Sequence, residues 1–131
     1  MAEYLFVYGT LLGEAPDPTV NRVVRQFCED AGAATVAGRL YRLGWYPGLV
    51  PGMGDGSGRI SGRLLRVRAP KLCWPVLDAY EGCDPEAPGR SEFVRRKLKV
   101  SPASGNADID AWTYVYTGPL SRGEPIDRWP P

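Results

Sequence analysis

The sequence predicts an α+β fold: a small mixed β-barrel, or a strongly curved sheet, carrying two or more short helices. Three observations predict it. At least five stretches read as strands, two read as short helices, and all of them share only 131 residues, which fit one domain and leave no room for two. Closing so few strands on themselves also removes most of the edges that an open sheet would expose. A hydrophobic fraction of 44% with 24% charged residues belongs to a chain that buries a core. Residues 1–131 are therefore read as a single domain with a Pro-rich tail over 119–131, and no repeat or linker interrupts them.

Each element has its own signal. Tyr4-Leu5-Phe6-Val7-Tyr8 is aromatic and β-branched without a polar break, the pattern of a strand buried on both faces, and Gly9 ends it. Asp17-Pro18 marks a helix start, with Asp17 as cap and Pro18 at the first helical position. Val20, Val23, Val24, Phe27 and Ala31 continue it at helical spacing, and Gly32 stands where a terminating glycine belongs. Thr35–Leu43 reads as a strand, and Gly44–Pro51 is too rich in Gly and Pro for regular structure. Four glycines between Gly52 and Gly58 make a turn into an alternating strand, Arg59–Arg68. Pro70–Glu81 reads as a second helix with Trp74, Leu77 and Tyr80 (or Val76 and Leu77) turned inward, Pro75 bending it or delaying its start. Phe93–Val100 and Ala111–Thr117 complete the strands, joined through a polar hairpin around Gly105, and the chain beyond Pro119 reads as irregular.

The most restrictive count is histidine, which is absent. Ser-His-Asp and Cys-His nucleophile pairs, His-ligated metals and a histidine proton shuttle are excluded. Proton chemistry falls to Glu, Asp, Lys, Tyr, Cys or an amine of the substrate. Sixteen basic and fifteen acidic residues leave a net charge of +1, a balance that argues weakly against a nucleic-acid partner. Cys28, Cys73 and Cys83 are odd in number and include no C-x-x-C, which suggests neither a disulfide framework nor a zinc site. The N-terminus lacks a basic leader and no stretch is long enough for a membrane span, so the expectation is a cytoplasmic protein without membrane or nucleic-acid partners.

Several features invite chemistry. The run Gly52–Gly58 lacks the Lys-Ser/Thr of a phosphate loop and no helix follows it, so it reads as a hairpin. Cys73 and Cys83 have no histidine or adjacent cation to lower their thiol pKa. Tyr8-Gly9-Thr10-Leu11-Leu12 leaves a buried strand through a glycine. It reads either as an ordinary strand-end turn or as a cradle of N–H groups for a carboxylate or developing oxyanion. Leu77-Asp78-Ala79-Tyr80-Glu81-Gly82 ends an apolar helix with a glutamate, facing the negative end of the helix dipole. Dipole and desolvation would raise its pKa toward that of a useful general base; the alternative is an exposed surface carboxylate.

In order along the chain, Phe6-Val7-Tyr8-Gly9-Thr10-Leu11, Gly38-Arg39-Leu40-Tyr41, Tyr46-Pro47-Gly48, Gly62–Val67, Leu77–Gly82, Phe93–Leu98 and Ala111–Tyr116 resemble the gamma-glutamylcyclotransferase-like family. The likeness is to its small members, which include gamma-glutamylamine cyclotransferases, and Trp129 stands for a family tryptophan near the C-terminus. The ordered set spans residues 4–118. It departs at Phe93, where many small members carry a Tyr. The resemblance implies a small mixed barrel with a cavity at its mouth, and a reaction that converts a gamma-glutamyl amine or peptide into 5-oxoproline and a free amine. It makes Glu81 the catalytic acid/base and Tyr8, Gly9, Thr10 and Leu11 the holder of the gamma-glutamyl group. Tyr46, Arg95 and Tyr116 become substrate contacts. It implies a monomer or homodimer acting on a small gamma-glutamyl substrate, with no metal and no organic cofactor. The competing expectations are a non-catalytic small-metabolite or protein-binding module on the same fold, and a small barrel binding single-stranded nucleic acid.

Overall fold

Strand β1 (Glu3–Val7) runs antiparallel to β4 (Gly58–Val67), with Leu5 opposite Leu65, and begins a ring of strands in a computed structural model that describes residues 3–9, 16–52 and 58–129. From β4 the ring passes to β2 (Cys28–Arg42) and β3 (Pro47–Pro51), both antiparallel to their predecessors. It continues to β6 (Ile109–Tyr116), which lies parallel to β3 at Leu49↔Val115 and parallel to β1 at Leu5↔Trp112. That last pairing closes a five-stranded mixed barrel. β5 (Phe93–Pro102) pairs along β6 and touches β2 at Ala34↔Pro102, while β7 (Glu124–Ile126) pairs the far end of β2.

The period of two along each strand divides the interior into two cores. Phe6, Val36, Leu40, Leu49 and Val115 point into the barrel. Their neighbours Leu5 and Val7 point outward and pack under α1 (Pro18–Phe27) and α2 (Pro70–Tyr80), against Val20, Val24, Cys73 and Leu77. Each fully buried aliphatic side chain contributes roughly 1.5–3 kcal/mol. The unbroken apolar run of β1 follows from this, because one face fills the barrel and the other carries the helices.

α1 starts as read: the Asp17 side chain accepts from the Thr19 N–H at 2.9 Å and Pro18 is the first helical residue. It stops earlier than expected. Cys28 is already extended and opens β2, whose first residues pair with Val67, Arg66 and Leu65. Pairing to β4 overrides the helical spacing that reached Ala31. Gly32, expected at the helix end, instead has φ of 104° at a register shift between Asp30 and Ala33, where a bulge needs a residue without Cβ.

Two further segments expected to be irregular are strands. Pro47–Pro51 pairs with Gly38–Arg42, and Glu124–Ile126 pairs with Leu40–Arg42. Prolines are tolerated in β3 because they stand at its two ends. Pro75 lies inside α2 at an exposed position, where water can take the bond that its missing N–H would have made. The Gly52–Gly58 hairpin falls mostly on residues 53–57, outside the described residues. Among the described residues no helix is long and apolar enough to cross a membrane.

Candidate active site

One end of the barrel opens into a cavity of about 180 Å³. Tyr8 and Gly9, which follow β1, line it, and the turn into β3 brings Trp45, Tyr46 and Pro47. A Cβ on Gly9 would stand 2.7 Å from Pro47 Cγ, so glycine is what lets these two segments meet. The end of α2 supplies Tyr80 and Glu81, the start of β5 supplies Glu92 and Phe93, and β6 supplies Tyr114.

Glu81 owes its place to the way α2 ends. The Cys83 N–H donates to Asp78 O at 2.8 Å, the Gly82 N–H donates to Ala79 O at 3.3 Å, and Gly82 has φ of 66°. This is a Schellman closure, with Glu81 the last residue in helical conformation. The Glu92 N–H then donates to Gly82 O at 3.2 Å and ties the two acidic residues' backbones together. Burial raises the Glu81 pKa to about 8, with the negative charge of Glu92 adding to the rise.

A second buried carboxylate anchors the helix. Asp78 is 6% exposed and accepts from Arg95 Nε at 2.9 Å, from Arg95 Nη2 at 3.2 Å and from the Tyr114 hydroxyl at 2.6 Å. The Arg95 guanidinium sits in the corner formed by the edge-to-face pair Trp74 and Trp112, 4.4 Å and 4.8 Å from their ring centres. Glu3 accepts from both indole N–H groups. Burial, then the bond to Asp78, pushes the Tyr114 hydroxyl far above its ordinary range.

Two tyrosines are committed as well. The Tyr8 hydroxyl donates to Tyr114 O at 2.5 Å and accepts from the Leu49 N–H at 3.1 Å, and burial pushes its pKa well up. The Tyr46 hydroxyl donates to Glu92 Oε2 at 2.6 Å; burial, then this bond, pushes it up to about 12. Arg122 Nη2, on an exposed side chain, lies 3.7 Å from the same Oε2. The Phe93 ring lies tilted against Tyr46 and edge-on to Tyr116, at 6.2 Å and 5.7 Å between centres, so the pocket wall is hydrocarbon where a family Tyr would place a hydroxyl. Among the described residues no group of His, Cys, Asp and Glu is placed to hold a metal ion.

Residues 5–130 match the family described as gamma-glutamyl cyclotransferase, AIG2-like. The chain belongs to that family. An AIG2-like protein from Mus musculus shares its fold with a TM-score of 0.71 at 17% identity, over 98% of this chain and 88% of that one. YtfP from Escherichia coli is similar with a TM-score of 0.64 at 27% identity, over 97% of this chain and 96% of that one. A protein from Arabidopsis thaliana gives a TM-score of 0.61 at 25% identity, over 89% of this chain and 70% of that one. No curated protein matches the sequence.

Of the site residues anticipated for a gamma-glutamyl cyclotransferase-like chain, Tyr8, Gly9, Tyr46 and Glu81 line one cavity. Thr10 and Leu11 lie outside the described residues. Arg95 and Tyr116 are not among the described lining residues. Arg95 is committed to Asp78, and the Tyr116 hydroxyl donates to Pro119 O at 2.9 Å. Sequence reasoning passed over Glu92 and Asp78. Nothing near Glu92 distinguishes it from a loop carboxylate. Asp78 did carry a signal: it sits three residues before Glu81, on the same helix face, beside inward-facing Leu77.

Proposed function

We propose that the cavity binds a gamma-glutamyl amine or peptide and converts it to 5-oxoproline and the free amine, with Glu81 as acid and base. The observation that carries the reading is Glu81 itself, a carboxyl with a pKa of about 8 in an aromatic cavity beside the glycine that ends β1. A carboxyl poised near the working pH can both take and return a proton.

The substrate brings its own nucleophile. Folding the gamma-glutamyl group so that the α-amine meets the γ-carbonyl makes the reaction intramolecular, where orientation is worth roughly 7–11 kcal/mol. The α-ammonium enters beside Glu81, and its positive charge draws the carboxylate form. Glu81 takes a proton from the ammonium, and the freed amine attacks the γ-carbon to form a five-membered ring. In this reading the oxyanion is assigned to the Gly9 N–H. Glu81 then gives its proton to the departing nitrogen and the C–N bond breaks; the carboxylate so restored takes the second proton from the ring nitrogen and passes it to the free amine, so that 5-oxoproline and an ammonium leave. The aromatic wall of Trp45, Tyr46, Tyr80 and Phe93 excludes water from the intermediate. Every proton and bond is accounted for by Glu81 and the substrate.

The test is 5-oxoproline release from a panel of gamma-glutamyl amines and peptides, comparing the native chain with Glu81→Gln. Loss of at least about a hundredfold in kcat/KM is expected. Equal rates would remove Glu81 from the mechanism. Binding without turnover across the panel would favour a non-catalytic small-metabolite module.

A further inference from the structure

The outer face of α2 carries one charge, Lys71 in its first turn. Asp78, the other charged residue of the helix, is buried with Cys73 and Leu77. The rest of the side turned to solvent is Leu72, Pro75 and Ala79, with Val76 half-buried beside them, and Leu72 keeps 59% of its surface in water. A helix on the outside of a domain ordinarily presents polar residues there. Leu72 and Ala79 are seven residues apart, so they share one face at a separation of about 10.5 Å along the axis. At the Ala79 end the loop after α2 folds back to form an open groove, lined by Ala79, Gly82, Cys83 and Ala87 together with polar residues. Two of those are engaged inside the fold, Asp78 by Arg95 and Tyr114, and Ser91 by the Asp84 N–H and Ala87 O. The groove therefore offers a hollow between two alanines, alongside the exposed Asp84 and Arg90.

The two ends of this stripe differ in charge. Arg25 in the last turn of α1, Arg68 and Lys71 gather at the N-terminal end, where the Arg68 N–H donates to Phe27 O at 2.8 Å and Glu29 lies 3.9 Å from Arg68. Asp84 and Glu86, with Arg90, follow the C-terminal end. Two copies packed in parallel would set like ends together, whereas a two-fold axis between Pro75 and Val76 sets unlike ends together. We propose that the outer face of α2 is the interface of a homodimer, in which the two α2 helices pack antiparallel and Leu72 enters the groove between Ala79 and Ala87 of the partner subunit. The seven-residue spacing makes the contact reciprocal, because each copy offers one protruding leucine and one alanine-lined hollow. Lys71 then comes beside Glu86 of the partner subunit. Pro75, Val76 and Ala79 are small enough to let the helix axes approach to about 8–10 Å. One helix and one loop make a small contact, so the association is reversible. The inference is independent of the reaction proposed for the cavity.

Sedimentation equilibrium of the full chain, from micromolar to near-millimolar concentration, reads the assembly. The native chain should pass reversibly from the mass of one chain to that of two. Leu72→Asp lies at an exposed position in the first turn, where an acid suits the helix, so the far-UV spectrum should stay native. It should weaken association at least about tenfold, as the loss of a central apolar anchor does. Lys71→Glu and Glu86→Lys should each weaken it by about threefold or more, and the double exchange should return the constant to within about threefold of native. A single-chain mass at every concentration would overturn the inference and leave the stripe to a protein of another kind. A dimer that Leu72→Asp leaves unchanged would overturn it too, by placing the contact elsewhere. A double exchange that recovers nothing would remove the antiparallel pairing, and the proposal with it.

Discussion

Asp78 and Arg95 meet in a two-pronged ion pair, at 2.9 Å and 3.2 Å, one helical turn before Glu81. The pair joins α2 to β5, and the Tyr114 hydroxyl brings β6 into the same knot. Breaking one side of a buried ion pair strands the other charge. Asp78→Asn should therefore destabilise the protein by about 3–5 kcal/mol, the range for such uncompensated charges, measured by urea denaturation. Arg95→Lys should not rescue the site, because an ammonium can neither fork onto Asp78 nor present a flat face to Trp74 and Trp112.

The rate should follow the ionisation of Glu81. The free enzyme reacts as carboxylate with an ammonium substrate, so kcat/KM should rise about tenfold per pH unit on the acid side and level near pH 8, where Glu81 titrates. Glu92→Gln should move that limb to lower pH. The move should cover less than half the distance to the ordinary glutamate value, because burial is the larger cause and remains. A pH–rate profile of both proteins checks the direction and the extent.

Stability should follow the same group with a definite sign. Glu81 binds its proton more tightly folded than unfolded, so the native state holds the extra proton between about 4.5 and 8. Stability from this group is complete below the unfolded value and falls as pH rises, by up to roughly 1.4 kcal/mol per unit. Glu81→Gln should match the native chain near pH 4 and exceed it in melting temperature at pH 8. A native advantage at pH 8 would mean that the carboxylate is compensated where it sits.

Tyr8→Phe separates support from contact. The Tyr8 hydroxyl bridges Leu49 of β3 and Tyr114 of β6, and deleting it leaves a buried donor and acceptor without that partner. A stability loss of about 1–3 kcal/mol is expected, with KM for a gamma-glutamyl substrate changed less than twofold. A large rise in KM at unchanged stability would instead make the hydroxyl a substrate contact.

Much of the fold was legible because the sequence repeats its reasons locally. Asp17-Pro18 starts a helix, Tyr4–Tyr8 reads as a doubly buried strand, and Gly82 stops α2. What escaped was pairing between distant segments. Cys28–Ala31 has the spacing of a helix, and only the partner strand at Leu65–Val67 makes it β. Pro47–Pro51 looks irregular until Gly38–Arg42 lies beside it. The same holds for the cavity: Glu81 announced itself by its position at a helix end, whereas Glu92 matters only because Tyr46 and Gly82 bring it there. Arg95 was read as a cavity residue and forms instead the buried tie to Asp78, a role that depends on two tryptophans 38 positions apart in the chain, Trp74 and Trp112.

The Schellman closure and the Asp78 knot together make a short lever. Three residues of helix separate the anchored Asp78 from Glu81, about 4.5 Å along the axis. A tilt of roughly ten degrees about Asp78 would displace Glu81 by only about 0.8 Å over that arm. Errors of about 1 Å are those that can cost two orders of magnitude in rate. A tilt of α2 about Asp78 is thus divided down before it reaches Glu81, the group that moves the proton in the proposed reaction.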